Sequence, residues 1–228
     1  MARVVLLAGG SPHAHDYADI ASAWERLLRS QRHEVVSTDH PDRLVELLGD
    51  GVDALVVNAL HWRMEGEGYD RWRARWGYRT PPATRDAISR FVSEGGGLVA
   101  NHTAPICFDD WAGWGEIVGC RWRWGVSSHP PFGPCRARIV GRHPIVEGSP
   151  PVLELDDEVY GDLWVAGDVD VLAVARRSSA DADQPVLFTR RHGAGRVVFA
   201  GFGHHGASVE HPDHGPLLAR AVSWVCDR

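Results

Sequence analysis

Three short apolar runs near the start of the chain restrict its fold more than any other feature. Arg3 to Ala8, His33 to Thr38 and Asp53 to Asn58 are rich in Val and Leu, and the first is closed by Gly9-Gly10. Runs this short and this continuously apolar read as strands buried on both faces of a parallel sheet. Between the first two, Ile20, Trp24, Leu27 and Leu28 recur at helical spacing and form one apolar face. A β-α-β-α-β rhythm of this kind predicts right-handed crossovers and an α/β domain with a mostly parallel central sheet.

The rest of the chain extends the pattern with one interruption. Residues 59–82 read as a long aromatic loop, carrying Trp62, Tyr69, Trp72, Trp76 and Tyr78 among several arginines. A helix is expected over Pro82 to Glu94 and a fourth strand over Leu98 to Ala100. A short helix opened by Asp109-Asp110 follows, with Trp111, Trp114 and Val118 turned inward. Further strands are expected at Cys135 to Val140 and Asp170 to Ala175. Pro185 to Arg190 and Arg196 to Ala200 flank His192-Gly-Ala-Gly195 as a hairpin, and a last helix begins near Gly215-Pro216. No repeat or linker divides the chain, so residues 1–228 are read as one domain.

Composition narrows the function classes. The net charge of −6 and the absence of a long basic run remove the electrostatic footprint of a nucleic-acid binder. The apolar run at the N-terminus is too short for a signal peptide, and nothing approaches the roughly 18 apolar residues of a membrane span. The four cysteines have no CxxC spacing. A cytoplasmic protein with reduced thiols and no nucleic-acid or membrane partner is expected, and a homo-oligomer stays open.

The thirteen histidines matter through their positions. Ligands of a parallel α/β sheet bind outside the carboxyl ends of its strands. The first strand ends in Ser11, His13 and His15, and the third in Asn58 and His61. The fourth ends in Asn101, His102 and Thr103, and the last in Gly203, His204 and His205. Two loop segments are expected nearby: His129, after the Trp-rich stretch Arg121 to Trp124, and Asp157-Glu158-Val-Tyr160. Glu158 sits in a carboxylate run between apolar stretches, which suits an inward-facing acid. Trp62, Trp72, Trp111 and Trp124 are the indoles placed in or beside cleft loops.

Imidazoles beside carboxylates suit general acid–base catalysis, and the same groups accept Zn²⁺ or another divalent metal, although no compact motif such as HExxH specifies one. No GxSxG elbow indicates a serine hydrolase, and Gly193-Ala-Gly195 lies in a hairpin, not at a dinucleotide site. The residues assigned to catalysis are His102, His204 and Glu158. Those assigned to substrate contact are Ser11, His13, Asn58, His61, Trp62, Thr103, His129, Asp157, Tyr160 and His205. A metal set would comprise His102, His129, Glu158 and His204.

The order of Gly95-Gly-Gly-Leu-Val-Ala-Asn-His102, His143-Pro-Ile145, Asp157-Glu158-Val-Tyr160, Pro185-Val186 and Gly193-Ala-Gly-Arg-Val-Val-Phe199 followed by Gly203-His204 resembles ThuA-like (trehalose-utilisation) proteins over nearly the whole chain. The resemblance implies a flavodoxin-like, three-layer fold of the class I glutamine amidotransferase type. It implies carbohydrate metabolism, with trehalose-type or oxidised sugars as substrates. In that fold the nucleophilic cysteine follows the strand matching Leu98 to Ala100; here Asn101-His102-Thr103 occupies the corner, and Cys107 comes several residues too late. Without a thiolate there is no thioester route, so glutaminase chemistry is not expected. The family-matching positions are His102, His129, Asp157, Glu158, Tyr160 and His204. Two rivals to a sugar enzyme stay open: a ligand-binding or sensing domain that lost its nucleophile, and a tailoring enzyme of secondary metabolism.

Overall fold

In a computed structural model describing residues 1–227, the apolar runs form β1 (Arg3–Leu7), β2 (Glu34–Thr38), β3 (Ala54–Val57) and β4 (Gly97–Asn101). Crossovers between them carry α1 (Tyr17–Ser30), α2 (Leu44–Leu47), α3 (Asp70–Trp76) and α4 (Pro82–Ser93). Asp16 caps α1 by accepting from Ala18 N and Asp19 N, which fixes the chain immediately after His15. The chain then runs through α5 (Ala112–Val118), β5 (Cys120–Arg121), β6 (Gly133–Ile139), β7 (Val152–Asp157), β8 (Trp164–Val165), β9 (Asp170–Ala175), β10 (Gln184–His192) and β11 (Gly195–Ala200). It closes with α6 (Gly206–Val209) and α7 (His214–Cys226).

Nine strands build one sheet in the order β2-β1-β3-β4-β11-β10-β9-β6-β7. The first five are mutually parallel, and β10, β9, β6 and β7 extend the sheet in antiparallel fashion. The expected flavodoxin-like frame is therefore present, with an antiparallel wing of four strands beside a parallel part of five. Strand alternation divides the core in two. Val4, Leu6, Val56 and Val198 face α1 and α7, where Ile20, Trp24, Leu28, Leu218 and Val222 are buried. Val5, Leu7, Leu55 and Phe199 face α4 and α5, where Ile88, Val92, Trp114 and Ile117 are buried. Sheet plus two helical layers is the three-layer arrangement. Each fully buried Ile, Leu or Trp of α1 contributes up to about 1.5–3 kcal/mol.

Three local expectations change. The aromatic stretch 59–82 contains a short 3-10 turn and α3, so it is not continuous loop. Asp109 and Asp110 do not open α5, which starts at Ala112. Asp109 instead accepts from Arg63, and Asp110 from Thr80 and Arg85, so the pair anchors that aromatic segment. Finally β7, unassigned in the sequence, pairs with β6 and buries Leu153, Leu155 and Asp157.

Candidate functional site

The carboxyl ends of β3, β4 and β11 are tied by buried amides. Asn101 donates to Ala200 O and Phe202 O at 2.7 and 2.6 Å, while Asn58 donates to Asn101 Oδ1 at 2.7 Å and to Gly203 O at 3.0 Å. Gly203 has φ +151°, and a Cβ there would lie 2.3 Å from Asn101 Oδ1, so only glycine fits. His102 follows β4 at φ 45°, a left-handed conformation that non-glycine residues rarely hold. At that strained corner, where the sequence resemblance implies a nucleophilic cysteine, the chain holds an imidazole.

Asp157, at the end of β7, is completely buried. Its carboxylate accepts from Glu158 N and Gly203 N at 2.8 Å each, and from His204 N at 3.3 Å. It thereby sets the backbone from which Glu158 and His204 project. Its Oδ1 is also 3.6 Å from His102 Nδ1, which lies 3.0 Å from Gly201 O.

Around this frame His15, His102, Glu158 and His204 converge, all four buried. His15 Nε2 is 3.2 Å from His102 Nε2, and Glu158 Oε2 is 3.7 Å from His102 Nε2 and 3.3 Å from His204 Nδ1. His129 Nδ1 meets the other carboxylate oxygen at 3.2 Å. Tyr160 Oη is 3.4 Å from His102 Nε2. Burial, followed by the neighbouring His102 and His204 rings, pushes His15 down to about 2. Burial likewise lowers His102, against the opposing pull of Asp157. Burial opposes ionisation of Glu158 as well, but the close His129 and His204 rings outweigh it and hold the carboxyl well below the usual range. The Glu158 contact raises His129. The site therefore holds a fixed carboxylate beside His15 and His102, two buried rings that resist protonation, with one ring at its rim that favours the charged form.

The cluster opens into a cavity of about 320 Å³, whose floor is His15, Glu158 and His204. Its walls are aromatic: Trp62, Tyr69, Trp122, Trp124 and Tyr160. Trp62 and Trp124 stack with ring centroids 4.9 Å apart, and the Trp62 indole N–H is buried without a protein partner. A larger depression of about 630 Å³ between α1 and α7 is bordered by the Arg26–Glu210 ion pair, and it has no comparable convergence of donors.

The expected site residues separate into three groups. His204, Glu158, His129, Tyr160, Trp62 and His13 line the cavity, with His102 directly behind its floor. Asp157, Asn58 and Thr103 are fully buried and serve the frame; Thr103 donates to Ala59 O. In this structure Asp157 accepts from backbone N–H groups, and Asn58 Nδ2 donates to Asn101 Oδ1 and Gly203 O, so all three hold the frame together. Ser11 bonds His13, whose ring stacks on Trp72 of α3. His205 packs on His204 and Phe132. His61 faces away: its Nε2 meets Asp39 O at 2.9 Å and its ring packs with His40 and Tyr78. In the four-donor set His15 replaces His129, which is half exposed and reaches only the outer oxygen of Glu158. Trp122 joins Trp62 and Trp124 on the wall, whereas Trp111 borders a separate depression with Cys107. Burial pushes the Cys107 thiol well up, so it offers no thiolate at neutral pH.

Fold and site together define a flavodoxin-like α/β protein whose strained corner after β4 carries histidine. The trehalose-utilisation (ThuA) family profile matches residues 3–225, and the chain belongs to that family. A ThuA-like protein of Parabacteroides merdae shares the fold at TM-score 0.76 and 19% identity, over 99% of this chain and 90% of that one. One from Bacteroides uniformis matches at TM-score 0.74 and 16% identity, over 99% and 91%. A cytoplasmic protein of Salmonella typhimurium LT2 matches at TM-score 0.64 and 15% identity, over 99% of both chains. No curated protein matches the chain. Among the described residues no helix is long and apolar enough to cross a membrane.

Proposed function

We propose that the chain is an enzyme of carbohydrate metabolism that acts on a sugar or sugar-derived small molecule in the aromatic-walled cavity. The observation that carries this reading is the meeting of a buried Glu158–histidine cluster with indole walls in one cavity. Indole faces pack on the apolar faces of sugar rings at low entropic cost. The ionised Glu158 and the imidazoles beside it are suited to accepting or relaying a proton from a hydroxyl held above them. His204 lies on the cavity floor and takes the proton-transfer role; Glu158 orients it; His102 supports both from behind. Family membership supports the carbohydrate assignment, and the fold itself is neutral on the reaction.

The test is turnover of a panel of free, phosphorylated and oxidised mono- and disaccharides. His204→Ala is expected to lower turnover by about 10²-fold or more, the usual yield of a positioned acid–base group. Its melting temperature should stay within a few degrees of the parent. An unfolded or fully active variant would remove His204 from the mechanism. Tight sugar binding without conversion would replace the enzyme by a ligand-binding domain.

Trp62→Ala is expected to raise KM by about fivefold with kcat nearly unchanged, since loss of a stacking face worth roughly 1 kcal/mol weakens ground and transition states alike. A fall in kcat at constant KM would show that Trp62 acts on the chemical step instead.

A further inference from the structure

From the same cavity, taken as the working site proposed above, we infer that His15, His102, Glu158 and His204 form a binding site for one divalent transition-metal ion of the Zn²⁺ kind. One donor atom from each lies within 4.8 Å of all the others. Tetrahedral bonds of about 2.0–2.1 Å put neighbouring donors about 3.3–3.4 Å apart. The separations along the chain of donors are 3.2 Å (His15–His102), 3.7 Å (His102–Glu158) and 3.3 Å (Glu158–His204).

The orientations support an ion more than a set of mutual hydrogen bonds. His102 Nδ1 faces Gly201 O at 3.0 Å, which places the ring proton there and leaves the Nε2 lone pair directed at the cluster. That lone pair faces Glu158 Oε2 at 3.7 Å with no proton of its own between them, and in the absence of an ion it can accept from His15 Nε2 at 3.2 Å or Tyr160 Oη at 3.4 Å. His204 Nδ1 is buried and 3.3 Å from Glu158 Oε2, yet makes no aligned hydrogen bond with it. Two ligands of one ion sit side by side in this way, each directed at the ion. Metal-binding histidines usually donate their second N–H to a carbonyl or carboxylate, and Gly201 O and Asp157 stand ready behind His102. Three imidazoles and one carboxylate favour a transition ion over Mg²⁺ or Ca²⁺, which prefer oxygen. His15, Glu158 and His204 border the cavity, so a substrate could reach the ion only by adding a fifth ligand or displacing one of the four.

The test strips the full chain with chelator, dialyses it against Zn²⁺ and measures bound metal, with Co²⁺ replacing Zn²⁺ for a visible spectrum. One ion per chain is expected, with the visible bands of four- or five-coordinate Co²⁺. His15→Ala and Glu158→Gln should each lower Zn²⁺ affinity by about 10²-fold or more, since loss of outer-sphere partners alone costs about 10–100-fold. His211→Ala should change nothing. Far-UV circular dichroism checks each variant, with His15→Gln in reserve should the alanine form unfold. Absence of stoichiometric binding, or equal binding by all variants, overturns the site. Full sugar turnover by the stripped protein also overturns it and leaves the proposed function standing. One tightly held ion with no sugar turnover keeps the metal site and removes the sugar reading.

Discussion

Replacing Asp157 by alanine is expected to lower the unfolding free energy by at least about 4 kcal/mol, the largest loss from any single polar side chain in the site. Three backbone N–H groups, those of Glu158, Gly203 and His204, lose their acceptor at once. Each buried donor left unpaired costs about 1–3 kcal/mol. Water has no route in, because the carboxylate has no exposure. Against a usual total of about 5–15 kcal/mol, such a loss brings the chain close to unfolding at 37 °C. Asp157→Asn keeps one acceptor oxygen and should lose roughly half as much. Urea denaturation of both variants is the measurement. A change below about 1 kcal/mol for the alanine form would mean that the three donors find other partners.

Acid is expected to weaken the fold steeply between pH 6.5 and 4. Burial, then His40, pushes His61 down to about 4, against the pull of the Asp39 carbonyl. Burial also lowers His214, His15 and His102. Below the unfolded value of about 6.5 the unfolded chain binds protons at these rings and the folded chain does not. Stability therefore falls as pH falls, by about 1.4 kcal/mol per pH unit for each ring held neutral. His61 and His15 alone account for roughly 4 kcal/mol between pH 7 and 5. His129 has the opposite sign, since its raised value favours folding as it protonates, but it is half exposed and screened. The low value of Glu158 preserves its contribution through this whole window. Unfolding free energies measured from pH 7 to 5 should show a net uptake of two or more protons. His61→Gln should flatten the slope by about one proton. A flat profile would mean that these rings charge freely in the folded state.

The parallel half of the sheet was legible because buried parallel strands are short Val- and Leu-rich runs, and β1, β3, β4 and β11 are of that kind. Their ends led directly to His102 and His204. β7 was missed although Leu153, Leu155 and Asp157 alternate inward, because a run ending in three carboxylates looks like a solvated turn. What buries Asp157 is a set of N–H groups some forty-six positions away in the chain, which no local pattern announces. His15 and His61 were indistinguishable in sequence, each a few residues past a strand end. Gly10, at φ 143° and packed against the Leu60 carbonyl, bends one loop so that His15 reaches the cluster. The Asp39 carbonyl draws His61 to the opposite side. α3 was hidden by arginines and tryptophans at spacings that resemble an irregular segment.

The left-handed corner at His102 has a consequence for how such chains diversify. Its shape is imposed by the Asn58–Asn101 amide ladder and by the bond from His102 N to Ala200 O, not by the imidazole. The backbone therefore behaves as a socket, maintained at a standing cost of about 1–3 kcal/mol whatever side chain is plugged into it. A thiol in that socket and an imidazole in the same socket would point from one origin into one cavity. A change of reaction class then needs one codon at the corner and a rearranged rim, while the sheet beneath stays as it is.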